Sequence, residues 1–228
     1  MSPDVLFIAF LGGVVPACIW LCFWLMEDRC EPEPKRYILY SFIAGMAAVL
    51  VALPLERAAM HYYSGTSLLM VWAVIEEMLK FAAAYIAALH ARVFDEPLDA
   101  VIYLVTVALG FAALENTLFI LTPLMEGDIL RSIITGDLRF MGATLLHTLA
   151  SATIGIMLAY SFYKPAFLRR LYAAGGVVLA ILLHALFNFF ILDKGSNATF
   201  WIFLSIWFGV IAMLLLVERV KQPTRDYC

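Results

Sequence analysis

Charge is scarce in this chain. Lys, Arg, Asp and Glu supply 14% of its 228 residues, against about 25% in an ordinary soluble domain. No basic block occurs and the net charge is -3, so nothing points to a nucleic-acid partner. Cysteine is sparse too. Cys18, Cys22, Cys30 and Cys228 form no C-x-x-C pair, which leaves a disulfide or Cys-metal site with little support. Cys18 and Cys22 share a helix face at i,i+4 and read as packing residues. Cys228 lacks the three following residues of a prenylation box. There is no G-x-S-x-G, no H-E-x-x-H, no low-complexity segment and no convincing internal repeat.

What fills the chain is apolar. Hydrophobic residues make up 64% and mean hydropathy is +0.92, the composition of an integral membrane protein. The pattern predicts an all-α, polytopic transmembrane bundle, a single domain over residues 1–228. About seven spans of roughly 17–25 residues are expected, at 4–26, 37–53, 67–89, 98–123, 140–163, 171–192 and 199–217. The first apolar run is too long for a signal-peptide core and reads as a retained span. Breaks fall at 27–36, 91–97, 126–139, 163–170 and 193–197, where charges meet Pro or Gly. Residues 54–66, with Arg57, His61 and Ser64–Gly65, read as a loop with an interfacial turn. Lys and Arg concentrate on one side if the N-terminus lies outside: Arg29, Lys35, Arg36, Arg92, Lys164, Arg169, Arg170, Arg219, Lys221 and Arg225 are then inside. The bias predicts N-terminus out and C-terminus in.

Against this background one stretch stands out. VWAVIEEMLKFAAAY (71–85) sets Glu76, Glu77 and Lys80 within an apolar span. Each ionisable group there costs at least about 2.5–3.5 kcal/mol on insertion scales and is a functional hypothesis by default. The next spans add Glu115 and Asn116, then His147, then His184 and Asn188. Counted from the outer helix ends, Glu76, Glu115, His147 and His184 all lie roughly 10–14 Å deep. One shared level across four helices predicts one site, in the outer half of the bilayer. His61 and His90 sit at span ends and read as interfacial.

Each residue alone has a plain structural reading. Membrane histidines bond across helices, Glu76 and Lys80 are spaced for an ion pair, and Asn116 and Asn188 suit interhelical hydrogen bonds. Ser151 and Gly155, on the His147 face, read as packing. The set taken together favours hydrolysis. A carboxylate takes a proton from water, imidazoles with a carboxylate suit Zn2+, and Asn188 or a His can donate to an oxyanion. A metal-bound and a metal-free version both fit. Two rival readings use the same buried groups: a proton- or cation-coupled transporter or channel, and a non-catalytic scaffold.

At these residues the sequence resembles the PrsW family of intramembrane proteases, related to the type II CAAX prenyl proteases and bacteriocin-processing membrane proteins. EEMLK (76–80) fits E-E-x-x-K, FAALEN (111–116) fits F-x-x-x-E, His147 follows, and HALFN (184–188) fits H-x-x-x-N. EPEPKR (31–36) also looks like the family. CAAX proteases carry His where this chain has Glu115, which argues against prenylated substrates. The resemblance implies a multi-pass peptidase of the bacterial cytoplasmic membrane. Its substrate would be a membrane protein or peptide, with first-site cleavage of a single-pass anti-sigma factor on the outer side. It assigns Glu76 as the water-activating base. Glu77, Glu115, His147 and His184 would bind metal or orient water, Asn188 would stabilise the oxyanion, and Lys80 and Asn116 would support them.

Overall fold

A computed structural model describes residues 3–27, 31–193 and 196–220. Cys30, Cys228, Arg29, Lys194, Lys221 and Arg225 lie outside the described residues. Among those described, the chain is helical throughout its elements, with no strand. The helices are α1 (Pro3–Glu27), α2 (Lys35–Ala59), α3 (Gly65–Ala84), α4 (Pro97–Met125), α5 (Ile129–Leu138), α6 (Thr144–Ser161), α7 (Ala166–Asp193) and α8 (Ser196–Val220). Two short π-helical turns extend the pattern, Tyr85–Leu89 after α3 and Arg139–Ala143 between α5 and α6. All-helical architecture is what a bilayer demands, since every backbone N–H and C=O must be paired within its own segment.

Among the described residues, six helical stretches are long and apolar enough to cross a membrane. α3 with its π turn matches them in length, but Glu76, Glu77 and Lys80 keep it out of that group. It is accommodated by company: all three side chains are buried against other helices.

α4 is the axis of the bundle. Every residue from Pro97 to Ala113 is buried, so the helix shows no apolar stripe and is hydrophobic all round. Its start is fixed by a capping box, Glu96 with Asp99, and by Pro97 at the first position. Without a hydrophobic driving force between helices in lipid, close packing of small residues takes its place. α2 crosses α4 where Gly45 meets Val107 and Gly110 meets Phe42. A Cβ on either glycine would lie 2.0 Å from a carbonyl oxygen of the other helix. α6 crosses α4 at Gly155, whose Cβ would lie 2.7 Å from Val101 Cα. Gly155 therefore packs, as its spacing suggested.

Three sequence expectations need correction. Residues 54–59 are not loop: α2 runs through Pro54 to Ala59, and Trp72 Nε1 donates to the Glu56 carbonyl at 3.3 Å, pairing an end group of the helix. The segment 126–139 is not an irregular break. Asp128 caps α5 by accepting from Arg131 N at 2.9 Å. Ile129, Ile133 and Ile134 recur at helical spacing and are exposed, the mark of a helix lying against an apolar medium. Cys18 and Cys22 are free and exposed on α1 rather than packed inside.

Candidate active site

The spacing E-E-x-x-K puts Glu76 and Glu77 on different flanks of α3, and the fold uses both. Lys80 Nζ donates to Glu77 Oε1 at 2.5 Å, so the buried ion pair of α3 joins Glu77 and not Glu76. The same Glu77 oxygen lies 2.7 Å from His184 Nδ1 on α7. On its other side Lys80 Nζ lies 3.0 Å from His147 Nδ1 on α6. His147 Nε2 in turn lies 3.0 Å from Glu115 Oε2 on α4. A continuous polar chain thus links α7, α3, α6 and α4 through groups that are mostly buried.

This chain fixes both imidazoles. A carboxylate only accepts and an ammonium only donates. His184 therefore donates Nδ1–H to Glu77 and keeps its lone pair on Nε2. His147 accepts from Lys80 at Nδ1 and donates Nε2–H to Glu115. The two lone-pair nitrogens are the ones turned toward Glu76: His184 Nε2 is 3.8 Å and His147 Nδ1 is 4.0 Å from Glu76 Oε2. Glu76 Oε2 is itself buried and makes no hydrogen bond. Three acceptor atoms converge, of which His147 Nδ1 already takes a proton from Lys80, and ligand atoms of Glu76, His147 and His184 all fall within 4.8 Å of one another.

Glu76 Oε2 and His184 Nε2 are open to a divalent cation, which would take His147 Nδ1 in place of the Lys80 hydrogen bond. Two imidazoles and a carboxylate are a familiar zinc triad with a position left open, and a carboxylate behind the His184 ring orients it as metal-binding histidines require. Glu115 is arranged differently from the other three. Its Oε2 is paired with Arg139 as well as His147, and the side chain stays about one-fifth exposed, at 18%.

The cluster opens on a cavity of about 300 Å³, walled by α2, α3, α4, α6 and α7. Glu76, Glu115, His147, His184 and Asn188 all line it. Glu77, Lys80 and Asn116 stand behind them. Asn116 ties α4 to α6, donating to Thr144 Oγ1 at 2.9 Å and accepting from Arg139 Nε at 2.6 Å. Phe111 of F-x-x-x-E lies beneath the cluster, its ring 5.2 Å from Lys80 Nζ and 5.4 Å from the His147 ring. His90 and His61 are exposed and remote from it. Two lining residues escaped the sequence reading, Glu56 and Arg139. Both fall in segments read as loops. A helical continuation past Pro54 and the isoleucine spacing of 129–134 were the signals that would have placed them.

A polar cluster of this kind, enclosed in a bundle of apolar helices, has the groups that a membrane-embedded hydrolase needs. The chain matches the sequence model of the PrsW family intramembrane metalloproteases over residues 33–217 and belongs to that family. Its relatives include the Protease PrsW of Bacillus subtilis, 26% identical over 221 residues that cover 95% of this chain and 96% of that protein. The Protease PrsW of Clostridioides difficile is 29% identical over 222 residues, covering 93% and 90%. That of Geobacillus kaustophilus is 25% identical, covering 93% of each. No solved structure matches the chain. The protein is a multi-pass membrane peptidase, and the transporter or channel reading finds no support in these relatives.

Proposed function

We propose that this peptidase hydrolyses a peptide bond of a single-pass membrane protein at the Glu76–His147–His184 centre. The observation that carries the reading is the meeting of three buried acceptors, one of them the partnerless Glu76 Oε2. The two acceptors that Lys80 does not serve, Glu76 Oε2 and His184 Nε2, suit the protons of a water or a cation, and both serve hydrolysis. A bound Zn2+ would supply Lewis acidity and a water activated at neutral pH; Glu76, His147 and His184 would hold it.

The chain's own residues do the rest. Glu77 pins the His184 tautomer and directs Nε2 into the cavity. Lys80 balances Glu77 so that this carboxylate stays committed to His184. In the version without metal, Glu76 Oε2 accepts the proton of a water held between it and His184 Nε2. Asn188, one turn after His184 on the cavity wall, donates its amide N–H to the developing oxyanion. Apolar walls keep bulk water from competing.

The substrate we infer is a single-pass anti-sigma factor, cut first at this site on the outer side of the bacterial cytoplasmic membrane. The family resemblance supports it. So does the position of the cluster, with Glu115 ten residues from the Met125 end of α4 and His184 nine from the Asp193 end of α7. The Lys/Arg bias makes those ends the outer ones.

The test combines metal analysis of the purified protein with cleavage of a co-expressed anti-sigma factor. Glu76→Gln is expected to insert and fold normally and to lose activity by about 10²–10⁴-fold. His184→Ala is expected to lose activity too, and bound zinc with it if the metal version operates. A Glu76→Gln protein with full activity overturns the reading in both versions.

A further inference from the structure

A membrane-held substrate has to reach the centre sideways, and two apolar grooves on the flanks of the bundle offer a path. One runs between α2 and the α3 end, through Tyr40, Leu79 and Ile86, with a volume of about 480 Å³. The other lies between the π turn, α7 and α8, about 190 Å³ beside Phe203, and continues into about 400 Å³ between α6, α7 and α8. The first shares no lining residue with the active-site cavity. The second shares four with it: Arg139, Ala143, Phe187 and Ile191. Continuity decides which groove serves the site.

We propose that the π turn, α7 and α8 form the lateral portal of the enzyme, and that the apolar span of a single-pass substrate docks there, with Phe203 as its outer door. The proposal rests on the peptidase reading above. The construction of the threshold supports it. A Cβ on Gly142 would lie 2.6 Å from the Phe203 ring, so any larger residue there would push that ring of α8 aside, while Phe187 of α7 stands at ordinary contact distance, 3.5 Å. Separation here moves two aromatic rings and no backbone hydrogen bond. Arg139 marks the inner side of the threshold. Its guanidinium is held by Glu115 and Asn116 and stacks at 3.9 Å on Phe119. A substrate helix that unwinds on entering therefore meets a fixed donor for its freed carbonyls, which lipid cannot provide.

The test uses the full chain in lipid nanodiscs and a tethered probe, one apolar span followed by an unstructured cleavable segment. A photoreactive residue replaces Phe203 in one variant and Ile86 in another, both carrying Glu76→Gln. Crosslinks to the probe are expected from position 203 and not from 86; crosslinks from 86 alone overturn the portal. In active protein, Phe203→Trp is expected to raise KM for the probe by roughly three- to ten-fold with kcat nearly unchanged, the sign of lost uniform binding. Phe203→Ala is expected to lower KM. Unchanged KM in both variants overturns the portal. Cleavage that depends on Glu76, without crosslinks from 203, removes the portal and leaves the peptidase reading intact. Crosslinks from 203 to a probe that is cut regardless of Glu76 remove the catalytic reading and leave the portal.

Discussion

Lys80 is wholly buried, yet it serves two masters at once, the Glu77 carboxylate and the His147 ring. Removing one partner of such a pair strands the other in a medium that cannot solvate it. Lys80→Met is therefore expected to destabilise the protein by about 3–5 kcal/mol, measured by reversible unfolding in mixed micelles. Adding Glu77→Gln removes the stranded charge and is expected to recover a large part of that loss. The double variant still lacks the anion behind His184, so its kcat should remain low while its stability returns. The sequence exposed these residues because an ionisable group in an apolar span is conspicuous. The i,i+4 spacing pointed to Glu76 as the partner of Lys80, whereas Lys80 pairs with Glu77. Both Glu76 and Glu77 are within its reach along the helix, and the choice depends on His184, 107 residues from Glu77.

At the level of the helix, the boundaries were harder to read than the chemistry. The spans themselves follow from length and hydropathy. Their ends do not, because Pro54 and the polar stretch after Met125 look like stops when only composition is weighed. In the folded chain Pro54 is carried inside α2, and α5 passes through a π turn into α6. Those two continuations bring Glu56 and Arg139 to the cavity. Helix crossings, by contrast, are written in single small residues. Gly110→Ala places a methyl group 2.0 Å from the Phe42 carbonyl oxygen, a backbone atom that has no rotamer to move to. We expect overpacking of about 1–3 kcal/mol or more, seen as a lower unfolding midpoint. Gly127, with positive φ and open space around its Cβ position, is the contrasting case. It is a turn residue, and its substitution should leave the α2–α4 crossing untouched.

For the whole molecule, orientation decides what the enzyme can cut. With α3 counted beside the six candidate spans, seven crossings are expected, an odd number that would put the two ends of the chain on opposite sides. Reporter fusions in the 162–165 turn are expected to be cytoplasmic and those in the 126–128 turn external; the reverse result would move the site to the inner half of the membrane. The position of α3 in this arrangement has a consequence for biosynthesis. A segment bearing three charged side chains is poorly suited to release into lipid by itself. Lys80 and Glu77 pair with each other within α3, but the rings that complete their hydrogen bonds arrive late, His147 lying 67 residues beyond Lys80 and His184 lying 107 beyond Glu77. α3 is accordingly expected to settle into the bilayer only after α6 and α7 have been synthesised. A chain truncated before α7 lacks His184 and leaves Glu77 without that donor, and is expected to be degraded faster than the full chain in a pulse-chase experiment.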